Sequence, residues 1–367
     1  MRILLLYYEP QPSGQTTHVL SLARGLDRRR YQITVVLPEH LEESIAAFRQ
    51  TGVRVVPLPL RKVAWTPGAV VALVRLVREQ HFDIVHIHSQ EAGLVARLLT
   101  RLAGSQTILY TPQTLDIQRA HWHWLYIFVE RLLAHITRLI ISVNESDRMR
   151  LIGWGIPSHK VVTVPNGIDL LKFEEPIEVG ELRQSLGVDR HCPLVMQVGR
   201  LRAQKNPLAF VEGAAQVVLE CPEAQFALVG DGPLRGDVVS RIQRLGLEHC
   251  VHWLGWHHAG YRLMAAADVI SLTSLWEGTP YTLLEAMAWS LPVVATAVNG
   301  CPEMVVDSVS GFLVPPGDIA AWAKRVIDLL HDPTKATSMG KQGRRRVEEK
   351  FALPDMLARV ERLYQDV

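Results

Sequence analysis

WEGTPYTLLEAMAWSLPVVATAVNGCPEMVVDSVSGFLVPPGD, residues 276–318, is the stretch whose reading decides the fold. It sets Glu277 and Glu285 eight positions apart, with Gly278, Thr279 and Pro280 directly after the first. A carboxylate on a Gly/Thr/Pro turn is followed by an apolar segment with helical spacing. The second carboxylate then falls about one or two turns into a helix, on a similar side. The backbone N–H groups of Tyr281, Thr282, Leu283 and Leu284 are the free donors of that helix start. Such a start attracts phosphate through its unpaired N–H groups and its dipole. Two carboxylates beside an anion site suit a ligand rich in hydroxyls that also carries phosphate, and a nucleotide-sugar fits that description. On spacing alone, an amphipathic helix with solvated glutamates fits equally well.

Around this stretch, short apolar runs alternate with longer helical patterns. Candidate strands fall at 3–8, 33–37, 53–57, 84–88, 107–110, 139–142 and 161–164, separated by periodic segments such as GAVVALVRLVREQ. After a charged, irregular stretch at 171–190 the rhythm restarts, with strands expected at 194–198, 225–229, 251–254, 269–272 and 292–295. Strand–helix alternation implies a parallel sheet with helices on both faces. The chain therefore reads as α/β, with two doubly wound Rossmann-like domains at 1–175 and 176–352 and a last helix at 353–367. Ligands of open α/β sheets bind outside the carboxyl ends of the strands. Two such domains facing each other make a cleft.

With 367 residues the chain is long enough for two ordinary cores. It is 48% hydrophobic and 21% charged with a formal charge of +2, which excludes a disordered chain and argues against a nucleic-acid partner. Arg28–Arg30 and Arg344–Arg346 read as solvated helix ends, the first also able to face anionic lipid. Cys192, Cys221, Cys250 and Cys301 form no C-x-x-C pair, which points to a reducing compartment without disulfides or zinc. MRILLLYYEP is too short for a signal peptide and reads as a buried strand. No apolar run approaches the ~20 residues that span a bilayer. The expected location is cytoplasmic, with peripheral contact on the inner membrane face as a further option. Residues 119–139, RAHWHWLYIFVERLLAHITRL, read either as a core-facing helix or as an apolar face for a lipid-linked acceptor or a membrane interface.

Further motifs lie at the expected strand ends. MQVGRLRAQKNP ends a strand at Gly199, with Arg200 and Lys205 on the loop that follows, and two cations there can clamp a diphosphate. LVGDGP places Gly230 and Gly232 after a strand, where glycine permits close backbone approach. Arg235 breaks what would otherwise approximate a dinucleotide fingerprint, so a dehydrogenase is disfavoured. No D-x-D occurs, and the histidines at 86–88, 121–123 and 257–258 lack H-E-x-x-H or a matched carboxylate, so no metal site is expected.

The combination of EG-P, LLEAMA, PVVAT, NG-PE and GFLV-PGD within 276–318 resembles the donor-site signature of the retaining GT-B glycosyltransferases of family 4. GR-x-x-x-x-K-N at 199–206 resembles a second segment of that family. The resemblance implies a GT-B fold in which the last helix crosses back to the first domain. It implies a nucleotide-sugar co-substrate with no further cofactor, and transfer of a hexose-type sugar to the hydroxyl of a sugar or lipid-linked acceptor. It gives the donor phosphates to Arg200, Lys205 and the backbone of Thr279, Pro280, Tyr281, Thr282 and Leu283. The sugar hydroxyls fall to Glu277, the ribose to Glu285, and the base and ribose surroundings to Gly230 and Gly232. In the first domain the loop holding Gly14 resembles the family's glycine-rich loop. In YTPQTLD, Gln113 replaces a histidine usual in relatives. Glutamine is no base near neutral pH. Gln113 then only positions the sugar, or His88 takes the acceptor proton, or activity is lost. A silent nucleotide-sugar-binding subunit and a GT-B sugar-nucleotide epimerase are the alternatives to a transferase.

Overall fold

In the computed structural model, which describes residues 1–9, 11–60, 66–115, 123–189, 191–257 and 259–367, strand β1 (Arg2–Tyr7) is an interior strand of a seven-stranded parallel sheet. Its partners are β2 (Gln32–Pro38), β3 (Arg54–Leu58), β4 (Ile84–His88), β5 (Ile108–Thr111), β6 (Leu139–Ser142) and β7 (Val161–Thr163), in the order β3-β2-β1-β4-β5-β6-β7. A strand covered on both faces must be apolar throughout, and residues 3–7 of β1 are all buried. Ile3, Leu5 and Tyr7 enter one core, while Leu4 and Leu6 enter the core on the other face.

A second parallel sheet holds β8 (Leu194–Val198), β9 (Gln225–Val229), β10 (Val251–Gly255), β11 (Val269–Leu272), β12 (Val293–Thr296) and β13 (Phe312–Val314), in the order β10-β9-β8-β11-β12-β13. Both orders reverse beside the first strand of their half, which creates the switch point where doubly wound sheets bind ligands. Twelve of the strands match the runs read from the sequence to within about a residue. The three-residue β13, inside the GFLV motif, was not expected as a strand because so short a run carries no alternation.

The chain divides into two units, Met1–Gly167 with Leu353–Val367, and Ile168–Ala352. The boundary expected at 175/176 is corrected to 167/168, because residues 168–175 pack with the second half. Phe173 meets the rings of Tyr261 and Trp289 edge-on at 5.6 and 5.1 Å, and Glu175 pairs with Arg262 at 2.6 Å. The Leu353–Asp366 helix buries Met356, Val360 and Tyr364 in a first-unit core. Among the described residues, no helix is long and apolar enough to cross a membrane.

Candidate functional site

The carboxyl ends of β8 and β9 are held together by glycines. Gly199 has φ +159° and its N–H donates to the Val229 carbonyl at 2.9 Å. Gly230, at φ +140°, leaves no room for a side chain: a Cβ there would lie 2.0 Å from the Gly199 carbonyl oxygen. A Cβ on Gly232 would lie 2.6 Å from the Leu201 carbonyl oxygen. The close backbone approach expected at both positions is therefore met by the protein's own loop, joined further by Leu201 N–H to Asp231 O at 3.0 Å and Leu234 N–H to Leu201 O at 2.9 Å. Gly230→Ala is expected to destabilise the second unit by about 3 kcal/mol, from backbone strain plus overpacking. A urea midpoint equal to that of the wild type would show that the two loops are not held in this contact.

Beyond Gly199 the chain passes half-buried Arg200 and makes a short turn, Ala203–Lys205, before Asn206 in left-handed conformation opens the Pro207–Val217 helix. That turn is bound to the loop after β11. Leu275 N–H donates to the Gln204 carbonyl at 2.8 Å, and the Gln204 amide donates to the Trp276 carbonyl at 3.1 Å. The Thr273 hydroxyl lies 2.9 Å from Gln197 Oε1 and 3.0 Å from the Lys205 carbonyl. These bonds bring Lys205 Nζ to 2.6 Å from Glu277 Oε1, a buried ion pair to which the Ser274 hydroxyl donates at 2.6 Å. The Glu277 N–H donates to Asn299 Oδ1 at 3.3 Å. Ser274 was not singled out in the sequence, and Asn299 entered only as the first residue of the NG-PE motif with no role assigned; only the fold brings them to the Glu277 carboxyl and N–H.

Gly278, Thr279 and Pro280 are buried and lead into the Tyr281–Ala288 helix. Pro280 caps this helix without a side-chain hydrogen bond, but its carbonyl accepts from the N–H groups of Leu283 at 3.1 Å and Leu284 at 3.4 Å, so these two are not the free donors expected, while those of Tyr281 and Thr282 receive no acceptor from the cap residue. The Thr282 hydroxyl donates to the Val198 carbonyl at 3.3 Å, which fixes the helix start beside the end of β8. Leu283 is fully buried, and Tyr281 buries its hydroxyl without a hydrogen-bond partner. Glu285 keeps a small part of its surface in solvent, yet desolvation pushes its carboxyl up to about 8 against the opposing pull of Lys172 and Lys205. Both carboxylates of the signature thus feel Lys205.

With its pKa raised in the fold, Glu285 holds a proton that the unfolded chain releases above its ordinary value of 4.5, so stability falls as pH rises from 4.5 to about 8. Glu285→Gln removes that loss. The variant is expected to melt several degrees above the wild type at pH 8 and level with it below pH 4.5, a comparison made by paired thermal scans. A difference independent of pH would contradict it.

The first-unit candidates gather at the ends of β1, β4 and β5. Ser13 caps the Gly14–Gly25 helix, accepting from Gln15 N–H at 3.2 Å, and Gly14 is that helix's first residue. His88, at the end of β4, is fully buried with neither ring nitrogen hydrogen-bonded, 4.0 Å from the His86 ring and 5.2 Å from that of His18. Burial, followed by the neighbouring histidines, holds His88 well below its usual range, which makes it a weak base and disfavours it as the acceptor's proton acceptor. His86 is bound by the Tyr364 hydroxyl at 2.7 Å and the Thr111 hydroxyl at 2.8 Å. Gln113 has φ +67° and is buried. Its side-chain oxygen lies 3.5 Å from the Asn166 amide, and its own amide nitrogen lacks a partner. Left-handed backbone at a buried glutamine is strain of the kind found where side chains are aimed at ligands. His18 and Asn166 extend this polar group. Among the described residues no cluster of metal-ligating side chains occurs. His121, His258 and the start of the aromatic stretch at 119–122 lie outside the described residues.

The family described as Glycosyl transferases group 1 matches residues 178–346, and that described as Glycosyltransferase Family 4 matches residues 12–171. A relative from Escherichia coli, named UDP-Gal:alpha-D-GlcNAc-diphosphoundecaprenol alpha-1,3-galactosyltransferase, is 30% identical over 90% of this chain and 86% of its own. The crystal structure of HepE from Anabaena in complex with UDP-glucose superimposes with a TM-score of 0.88 over the whole of both chains at 25% identity. Sucrose-phosphate synthase of Thermosynechococcus elongatus, at 22% identity and a TM-score of 0.83 over 100% of this chain and 99% of its own, shares the fold.

Proposed function

The chain belongs to glycosyltransferase family 4, and from that membership we propose that it moves a hexose from a UDP-sugar to a hydroxyl of a lipid-linked glycan, with retention of anomeric configuration and without a metal. It is a nucleotide-sugar-dependent glycosyltransferase. The observation that carries the fuller reading is the Lys205–Glu277 ion pair at 2.6 Å beside the start of the Tyr281–Ala288 helix. UDP is the chosen nucleotide because the Escherichia coli relative is named for UDP-Gal and the Anabaena structure holds UDP-glucose.

Lys205 and Glu277 neutralise each other in their ion pair. A bound donor gives each a better partner: the diphosphate takes the ammonium, and the sugar hydroxyls take the carboxylate. As the bond from the anomeric carbon to the phosphate oxygen breaks, negative charge grows on the departing UDP. Arg200, Lys205 and the first N–H groups of the helix stabilise that charge, in place of a metal. The departing phosphate oxygen accepts the proton of the acceptor hydroxyl, whose oxygen bonds to the anomeric carbon on the same face. No protein base is needed, which suits a neutral Gln113 and a buried His88. Glu285, its carboxyl pushed up to about 8 by burial, holds the ribose hydroxyls. The acceptor's lipid places the enzyme at the inner face of the membrane.

Calorimetry with UDP-, GDP- and ADP-sugars tests this. UDP-hexose is expected to bind selectively, to bind more weakly to Glu285→Ala, and to yield an α-linked product with undiminished turnover in EDTA. No binding across the panel by folded protein would overturn the donor assignment, and binding without turnover would favour a silent subunit.

A further inference from the structure

In the first unit the Gln90–Leu102 and His123–Ile136 helices pack side by side on the sheet. They follow β4 and β5 in a run of parallel strands, so they point the same way. Each carries an apolar stripe facing outward. Leu98 and Leu102 lie four apart on the first. Trp124, Phe128 and Leu132 lie four apart on the second, with Trp124 65% and Phe128 54% exposed. Arg97 and Glu130, both buried, join the helices beneath this face at 2.8 Å, so the stripes are held as one preformed plate.

Among the described side chains of the two helices, the exposed charge has one sign. Arg101, Arg131 and Arg138 are exposed at the carboxyl ends of the two helices. Lys160 binds the Ala134 and Thr137 carbonyls there, at 2.7 and 3.1 Å. Among the described side chains of these helices the only carboxylate is Glu130, which is buried. Exposed tryptophan, phenylalanine and leucine bordered by arginine suit the boundary between anionic head groups and acyl chains, where aromatic rings insert and guanidinium groups meet phosphate.

We propose that this two-helix face docks on an anionic lipid bilayer. The inference goes beyond the reaction: it names the surface through which the enzyme would stay near a lipid-linked acceptor, and it rests on the membrane setting proposed above only for its purpose.

The test is co-sedimentation of the full chain with vesicles of phosphatidylcholine alone or with phosphatidylglycerol added. Binding is expected to the anionic vesicles, to fall about tenfold or more in a Trp124→Ser/Phe128→Ser variant, and to weaken in Arg131→Gln/Arg138→Gln. Matching circular dichroism and melting temperatures show that the variants remain folded, which exposed positions favour. UDP-glucose affinity by calorimetry reports separately on the donor-site reading and is expected to be unchanged. Wild type that stays in the supernatant, or a serine variant that binds vesicles equally well, overturns the proposal. A dimer in sedimentation velocity that the serine variant abolishes, with no vesicle binding, also overturns it and assigns the face to a second copy of the chain.

Discussion

Lys205→Met is expected to lower turnover roughly 10²–10³-fold, the loss typical when one preorganised charge facing a departing group is removed. The same substitution strands Glu277, which is 4% exposed and keeps only the Ser274 hydroxyl against its side chain. Breaking a buried pair from one side costs about 3–5 kcal/mol because the remaining charge stays desolvated. Loss of activity alone would therefore not separate chemistry from folding. The double variant Lys205→Met/Glu277→Gln removes the stranded charge and should regain most of the melting temperature without regaining turnover. Near-normal turnover in folded Lys205→Met would remove this ammonium from the mechanism. Recovery of activity in the double variant would give the pair a purely structural role.

The second large effect is expected at Arg97. Its Nη2 lies 2.8 Å from both Glu130 oxygens, its Nε–H donates to the Gly93 carbonyl at 2.8 Å, and its guanidinium carbon lies 4.0 Å from the centre of the Tyr110 ring. The Tyr126 hydroxyl donates to the same carboxylate at 3.0 Å. Arg97→Met should destabilise the first unit by about 3–5 kcal/mol, with Arg97→Met/Glu130→Leu recovering much of the loss. Urea denaturation of the three proteins measures this. A single variant within about 1 kcal/mol of the wild type, as for exposed pairs, would contradict so buried an interaction.

The strands were legible in the sequence because buried parallel strands are written as short, mostly apolar runs, and β4, β6, β8, β9 and β11 fall where those runs fall. The donor-side loops stood out in the sequence because Gly199 with Lys205, and Glu277 with Glu285, stand in two dense motifs of one recognisable pattern. What that pattern could not convey was who touches whom. Gly230 and Gly232 read as places of close backbone approach, and the backbone that approaches them is that of the neighbouring loop. Glu277 read as a sugar-facing carboxylate, with no sign that Lys205, 72 positions earlier, pairs with it. The domain boundary was misplaced because 168–175 looks irregular locally, and its allegiance depends on where the single ring of Phe173 packs. His18, His86 and Tyr364 come from three distant segments, so no spacing rule could have grouped them.

The three packed histidines give the first unit an acid limit. Burial lowers His18 to about 4 and His86 to about 3, with His88 also well depressed, so all three stay neutral in the fold while the unfolded chain takes up protons below their ordinary value of 6.5. Mild acid therefore favours unfolding of the first unit. Over the same descent, from about 8 toward 4.5, the second unit gains stability from Glu285. Acidification thus pulls the two halves of one chain in opposite directions, and amide hydrogen exchange at pH 5 should find protection lost around β4 while it is kept along the Tyr281–Ala288 helix.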